Sequence, residues 1–533
     1  MASVREATFE MLRARGMTTL FGNPGSTELP MLRDFPDDFR YVLGLQEAVA
    51  VGMADGFAQA SGQVGHVNLH TAPGVGNAMG AIFNAQANKS PLLVTAGNQT
   101  RSLMTLQANL TNRDAVRMPH PLVKWSYEPP RAEDVPHALA RAIHVASLPP
   151  RGPAFVSIPM DDWDADVDDA AVRHQTRRTV DGRVQPGPEQ VRALAARLTS
   201  AARPVLVVGP DVDASGAWDA AIALAEQQRL PVWATPAPGG GRIGFPEDHP
   251  AFQGILAPAI GPVSEMLSGH DLVLVAGSSV FPYYPNIPGP LLPDGAALVA
   301  ITSDADEAAR APMGDAIVAD VRLTLEALVQ AAGPADDREA PPARPAPEEV
   351  ELTDPMSPST AVRALASVFP DDGIVVLESP SATPALRNQL RVNRPGSYFF
   401  GAGGGLGFGL SAAIGVQIAQ PDRPVVCVLG EGSAQYAITG FWTAAAYRVP
   451  VTFLVLRNEE YAILKWFGML EDVQGAPGLD LPALDVSAVA AAYGVPSRRV
   501  SGREELTEAL RTAIGSGGPE LVEVQVTPGM ALA

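Results

Sequence analysis

Short apolar runs recur along the chain, and a stretch with helical spacing follows most of them. Thr18 to Phe21 leads into the turn GNPGSTELP, and YVLGL leads into QEAVAVGMADGFAQAS. GHVNLHTAPG, a helical stretch and PLLVTAGNQ come next. Strands alternating with helices predict a parallel sheet covered by helices on both faces. The pattern lapses around Asp161 to Pro186 into a polar connection. It resumes with the strands RPVLVVGP, LPVWATP, DLVLVAGSS and ALVAITSD. It lapses again in AAGPADDREAPPARPAPEEVELTDP, a linker rich in Pro, Ala and charge. The last third opens on a helix near Ser359 and the strand GIVVLES. It continues through the glycine-rich GAGGGLGFGLSAAIG, the strand RPVVCVLG, a helix through FWTAAAY, the strand VTFLVLRN and a final helix–strand pair. The spacing predicts an α/β protein of three doubly wound parallel-sheet domains, over 1–180, 181–340 and 341–533. No short-period repeat of the solenoid kind interrupts it.

Composition narrows the setting. A chain of 533 residues is too long for one ordinary core. Its 46 % hydrophobic and 18 % charged residues exclude disorder. With 38 basic and 58 acidic side chains, the formal net charge of -20 repels nucleic acid and anionic membranes. The one cysteine, Cys427, excludes an intramolecular disulfide. The N-terminal MASVREATFEMLRARG lacks the apolar core of a signal peptide, and no apolar run is long enough to span a bilayer. A soluble cytoplasmic protein is expected, without nucleic-acid or membrane partners.

Candidate chemistry concentrates in PVVCVLGEGSAQYAITGFWTAAAYRVPVTFLVLRNEEY. VVCVLG reads as a buried parallel strand, with Gly430 and Gly432 allowing a sharp turn at its carboxyl end. A helix start there offers free N–H groups to a phosphate. Glu431 and Asn458 fall at neighbouring strand ends. A hard cation bridging their oxygens and a diphosphate fits that pair. The run Gly407-x-Gly409-x-x-Ala412 is a weak dinucleotide fingerprint without an acidic residue about 20 positions on, and no P-loop occurs.

A Gly-acid-Gly, a helix, a strand and an Asn resemble the diphosphate–magnesium motif of thiamine-diphosphate enzymes. FGNPGSTELP, LQEAVAVGMADGFAQASG, LHTAPGVGNAMGA, PLVKWSYEP, GPDVDA, EAARAPMGDAIVAD, GGLGFGLSAAIGVQ and FWTAAAY look specifically like benzoylformate decarboxylases. The similarity covers essentially the whole chain, in order. It implies a pyrimidine-binding domain, a middle domain and a diphosphate-binding domain. It also implies a homotetramer with each active site between two subunits. Thiamine diphosphate is the implied cofactor, with Mg2+ as its metal and Ca2+ or Mn2+ as alternatives.

By the same resemblance, Glu47 would bond the pyrimidine ring nitrogen and favour the tautomer that deprotonates the neighbouring ring. Leu406 would bend the cofactor, and Pro380, Ser381, Gly405, Gly430, Gly432, Ser433 and Tyr461 would line it. Glu431, Asn458 and the backbone carbonyl of Glu460 would hold the metal, with the Glu460 carboxylate as the alternative to its carbonyl. His70 and Ser26 would serve catalysis, Ser26 on the substrate carboxylate. Ser26, Tyr284, Ile463 and Phe467 would face the substrate. Plainer readings accompany these: a carboxylate at a helix start for Glu47, a hydrogen-bonded structural side chain for His70, a helix N-cap for Ser26, and core packing for Leu406, Ile463 and Phe467.

Two positions depart from the family pattern. Glu431 stands where the metal motif has Asp, one methylene longer. Tyr284 stands where a second active-site histidine is expected, and a phenol, with a pKa of about 10, is a poor proton-transfer group near neutrality. The expected reaction is non-oxidative decarboxylation of an aromatic or related 2-keto acid, benzoylformate-like, with carboligation of aldehydes as a side reaction. A dedicated carboligase of the acetolactate-synthase kind and a cofactor-binding homologue that has lost catalysis are the alternatives. A nicotinamide oxidoreductase rests only on the weak fingerprint.

Overall fold

The computed structural model describes residues 2–530 apart from 237–240, 282, 347–352 and 354, and also omits the side chains of 169–171. Three six-stranded sheets form in succession, and every pairing within them is parallel. Their central strands carry the sequence's apolar runs: Gly65–Leu69, Leu92–Asn98, Pro204–Val208, Leu272–Ala276, Ile374–Glu378 and Val451–Arg457. Parallel strands covered on both faces read as unbroken hydrophobic stretches, which accounts for their clarity in the sequence.

The first and last sheets share one topology. Across the first sheet the strands run Arg40–Leu43, Thr19–Gly22, Gly65–Leu69, Leu92–Asn98, Ala154–Pro159, Trp125–Tyr127. Across the last they run Tyr398–Phe400, Ile374–Glu378, Val425–Gly430, Val451–Arg457, Glu520–Gln525, Ser497–Val500. In chain order both read second, first, third, fourth, sixth, fifth. The middle sheet runs third, second, first, fourth, fifth, sixth, from Phe252–Ile255 to Asp315–Val318. In such sheets a crevice opens at the carboxyl ends of the strands where the order reverses.

One helix pair joins the first and last units. Glu47–Ser61 packs along Phe408–Ala419, and small residues set the separation. A Cβ on Gly56 would lie 2.2 Å from the Ala412 carbonyl oxygen, and one on Gly415 only 1.9 Å from that of Met53. A hydrophobic core runs across this junction, from Val49 and Met53 to Leu410 and Phe441. A second core runs from the middle sheet into the last unit, beside the buried Glu247–Arg387 ion pair.

The expected linker after Ala331 lies partly outside the described residues. Its described part follows the middle unit, with Arg338 Nη2 donating to the carbonyls of Leu198 and Ala201 at 3.1 and 2.9 Å. The polar connection near Asp161 contains the helix Asp169–Arg177 and a short strand, Asp166–Val167, paired antiparallel with Ala2–Ser3. Among the described residues no helix is long and apolar enough to cross a membrane.

Candidate active site

At the reversal point of the first sheet, Thr19–Gly22 lies beside Gly65–Leu69. Glu47 opens the helix Glu47–Ser61 and is 7 % exposed. It does not cap that helix, because the Gln46 side chain accepts from the N–H groups of Ala48 and Val49 at 2.6 and 3.3 Å. The Glu47 carboxylate is left for Asn77, whose Nδ2 donates to Oε2 at 3.1 Å. Gly74 fills the gap beside it: a Cβ there would stand 3.2 Å from Glu47 Oε1 and 3.3 Å from His70 Cβ.

His70 follows the strand Gly65–Leu69 and precedes the helix Thr71–Ala87 without capping it. Its Nδ1 lies 2.8 Å from Glu28 Oε2 and 3.2 Å from Thr27 Oγ1. His66 shows the contrasting structural case. It is 1 % exposed, Nε2 lies 3.1 Å from Thr95 Oγ1, and burial pushes its pKa down to about 3. Ser26 is exposed in the turn before the short helix Leu29–Leu32. The N-cap position belongs to Glu28, so the N-cap reading of Ser26 is corrected.

At the reversal point of the last sheet, Ile374–Glu378 lies beside Val425–Gly430. The expected helix after this turn is broken into Glu431–Ala434, a 3-10 turn over Gln435–Ala437, and Gly440–Ala446. Gly432 is pressed against an aromatic ring, since a Cβ there would lie 2.7 Å from Tyr461 Cε1. Ser433 and Ser379 hydroxyls flank Gly430. Glu431 is 2 % exposed, and its Oε1 accepts from the N–H groups of Asn458 and Glu459 at 3.2 and 2.6 Å. Burial pushes this carboxyl above its ordinary range. A nearby cation would stabilise its charged form.

The Glu460 carboxylate is already engaged, by Lys465 Nζ and by the Gly529 N–H at 2.7 Å. Its backbone carbonyl is the better candidate for a metal. Among the described residues no three His, Cys, Asp or Glu side chains gather into a metal cage. One carboxylate, one amide and a peptide carbonyl form the partial oxygen set that magnesium completes with phosphate and water. The residues present therefore fit a metal diphosphate.

Pro380 and Ser381 form a 3-10 turn against the helix Ala462–Leu470, which carries Ile463 and Phe467. Tyr284 reaches over from the middle unit, with its ring centroid 4.7 Å from that of Phe467. Leu406 is partly buried and lines a cavity of about 250 Å³ with Gln46, Asn77 and Tyr436. Its loop is held from two sides. Asn84 exchanges hydrogen bonds with the Gly405 carbonyl and N–H at 2.8 and 3.0 Å, and Glu378 Oε1 accepts from Gly407 and Phe408 N–H at 2.8 and 2.9 Å. Glu378 Oε2 is buried without a partner, and burial raises that carboxyl from an ordinary 4.5 to about 8.

Within one chain the residues fall into two groups. Ser26, Glu47 and His70 belong to the first sheet. Pro380, Ser381, Gly430 to Ser433, Asn458 to Tyr461, Ile463 and Phe467 belong to the last, with Tyr284 against them. Among the described residues no hydrogen bond, ion pair or ring contact joins these two groups, whereas Gly405 and Leu406 meet the first unit through the Asn84 hydrogen bonds and the cavity shared with Gln46 and Asn77. Sequence reasoning missed Glu28, Asn77, Asn84 and Glu378. Glu28, in GSTE, carried the one available signal, an acid at a helix start.

Comparison with known proteins agrees with this layout. The N-terminal TPP binding domain profile of thiamine pyrophosphate enzymes matches residues 2–118, the central domain 191–328 and the C-terminal TPP binding domain 381–524. The benzoylformate decarboxylase of Pseudomonas aeruginosa is 50 % identical over 98 % of this chain and 99 % of its own. The structure of the thiamine diphosphate-dependent 4-hydroxybenzoylformate decarboxylase of Rhodococcus jostii superposes with a TM-score of 0.96 at 45 % identity, covering 99 % of this chain and 100 % of that one. That of benzoylformate decarboxylase from Polynucleobacter necessarius gives 0.95 at 41 %, covering 99 % of each chain.

Proposed function

Because the chain belongs to the thiamine pyrophosphate enzymes, we propose that it decarboxylates an aromatic 2-keto acid of the benzoylformate type to an aldehyde and carbon dioxide. The observation that carries this reading is the 50 % identity to a benzoylformate decarboxylase along nearly the full length of both chains. The aromatic wall of Tyr284 and Phe467 supports an aryl substrate. In this reading residues 1–180 bind the pyrimidine, 181–340 form the middle domain and 341–533 bind the diphosphate.

When bound, thiamine diphosphate supplies a carbon nucleophile and an electron sink. The chain's own residues do the rest. Gly430, Gly432 and Ser433 would border the diphosphate, with Glu431, Asn458 and the Glu460 carbonyl on magnesium. Leu406, in its clamped loop with Gly405, would set the angle of the rings. Pro380, Ser381 and Tyr461 would flank them. Glu47 would hold a proton at the pyrimidine nitrogen, oriented by Asn77. Ser26 would take the substrate carboxylate, His70 would exchange a proton with the reacting carbonyl, and Ile463 would pack on the aryl group beside Phe467.

The two groups of one chain would meet across subunits of a homotetramer. Exposed apolar side chains near both groups support this: Leu29 and Leu45 beside the first, Leu464 and Met469 beside the second. The substitution of Tyr284 for a histidine favours a larger share of carboligation. A panel of 2-keto acids with thiamine diphosphate and magnesium, scored by product, separates the outcomes. Aldehyde release highest on aryl keto acids is expected. Ketol as the main product would make the protein a dedicated carboligase, and no turnover at all would overturn the reading.

A further inference from the structure

We infer that Glu28 is a positioning residue that holds His70 as the Nδ1–H tautomer, leaving Nε2 as the nitrogen that exchanges a proton with the substrate. The inference deepens the proposed decarboxylase reading and rests on it for the role of His70. Its geometric part stands alone. Glu28 is 1 % exposed, yet four polar contacts converge on its carboxylate. The Gly25 N–H donates to Oε2 at 2.8 Å, the Gly97 N–H to Oε1 at 2.8 Å and the Thr27 hydroxyl to Oε1 at 2.7 Å.

A backbone N–H can only donate, so both Glu28 oxygens accept, and an ionised carboxylate carries no proton of its own to give. The fourth contact, from His70 Nδ1 at 2.8 Å, is therefore donated by the imidazole. Thr27 Oγ1 gives its proton to Glu28, so it too can only accept at its 3.2 Å approach to Nδ1. The second ring nitrogen is then the unprotonated one in the neutral side chain.

The backbone is shaped around this pair. A Cβ on Gly25 would lie 2.2 Å from His70 Nδ1, and a Cβ on Gly97 would lie 2.3 Å from Glu28 Oε1. The His70 side chain is 20 % exposed while that of Glu28 is 1 % exposed. A buried carboxylate thus orients a reachable imidazole, the division of labour of a base and its orienting acid. When His70 takes a proton at Nε2, the resulting imidazolium is still held by Glu28, and the proton returns through the same nitrogen.

The test uses the holoenzyme. Solid-state 15N spectra of histidine-labelled protein at high pH, with the His70→Ala spectrum subtracted, single out one imidazole among eight. The inference expects protonated Nδ1 and bare Nε2. A bare Nδ1 in the wild type would overturn it, whatever the activity. Kinetics supply the coupling. Glu28→Gln leaves one buried N–H without an acceptor, so Glu28→Asp is run in parallel in case the amide variant fails to fold. Either should lower kcat/KM about 10²-fold with cofactor affinity unchanged. In a His70→Ala background the same change should alter the rate less than about 3-fold, since the lost group acts only through His70. Equal losses in both backgrounds would overturn the role. Failure of the wild type to turn over any 2-keto acid would instead sink the functional reading and leave the tautomer result standing.

Discussion

At the residue scale, the proposed function makes Tyr284 the first position to test. Its ring shares the Phe467 surface, but a phenol donates and accepts protons poorly near neutrality. A positioned acid–base group contributes 10²–10⁴-fold. Tyr284→His should therefore raise benzoylformate decarboxylation at pH 7 by about tenfold or more. An unchanged steady-state rate would remove Tyr284 from the explanation. Glu378 carries a different prediction. Its carboxyl sits at about 8 in the folded protein against an ordinary 4.5. Between those values the folded state binds the extra proton, so stability falls as pH rises from about 4.5 to about 8. Glu378→Gln keeps the acceptor for Gly407 and Phe408 and removes the titration. The variant should gain thermal stability over the wild type from pH 5 to pH 9, as read by melting temperature. A constant difference across that range would mean that Glu378 does not titrate there.

At the element scale, what the sequence made legible followed burial. Interior strands such as Val425–Gly430, VVCVLG, announce themselves because both faces are covered. The strands that went unpredicted are mostly edges. Trp125–Tyr127 and Tyr398–Phe400 have three residues each, Ser497–Val500 carries two arginines, and Asp315–Val318 is largely exposed. Ala154–Pro159 is the exception, an interior strand whose short run between Pro153 and Pro159 reads as loop. The helix contact across the first and last units was invisible in the sequence, since its signal is only glycine in helical segments. With the Met53 carbonyl 1.9 Å from where a Gly415 Cβ would sit, Gly415→Ala should cost about 1–3 kcal/mol in denaturant unfolding. An unaffected midpoint would show that the helices separate without penalty.

At the scale of the whole molecule, the candidate residues were legible one by one, but their arrangement was not. The motifs placed Glu47 and the Gly430–Glu431–Gly432 turn at carboxyl edges of sheets, where the structure has them. The orienting partners Glu28, Asn77 and Asn84 come together only through folding. Under the proposed function, the two residue groups of one chain complete a site only with a second copy. Sedimentation should give about 223 kDa, four times 55.7 kDa, with turnover lost on dilution to the monomer. A fully active monomer would contradict the shared site.

The central claim is that Glu47 acts on bound thiamine diphosphate. Its most direct test is carbon dioxide release from benzoylformate by Glu47→Gln holoenzyme, measured beside cofactor titration of the same protein. The account predicts retained cofactor binding and a kcat lower by about 10²-fold or more. Undiminished release by the variant, or release by wild-type protein freed of thiamine diphosphate, would contradict it.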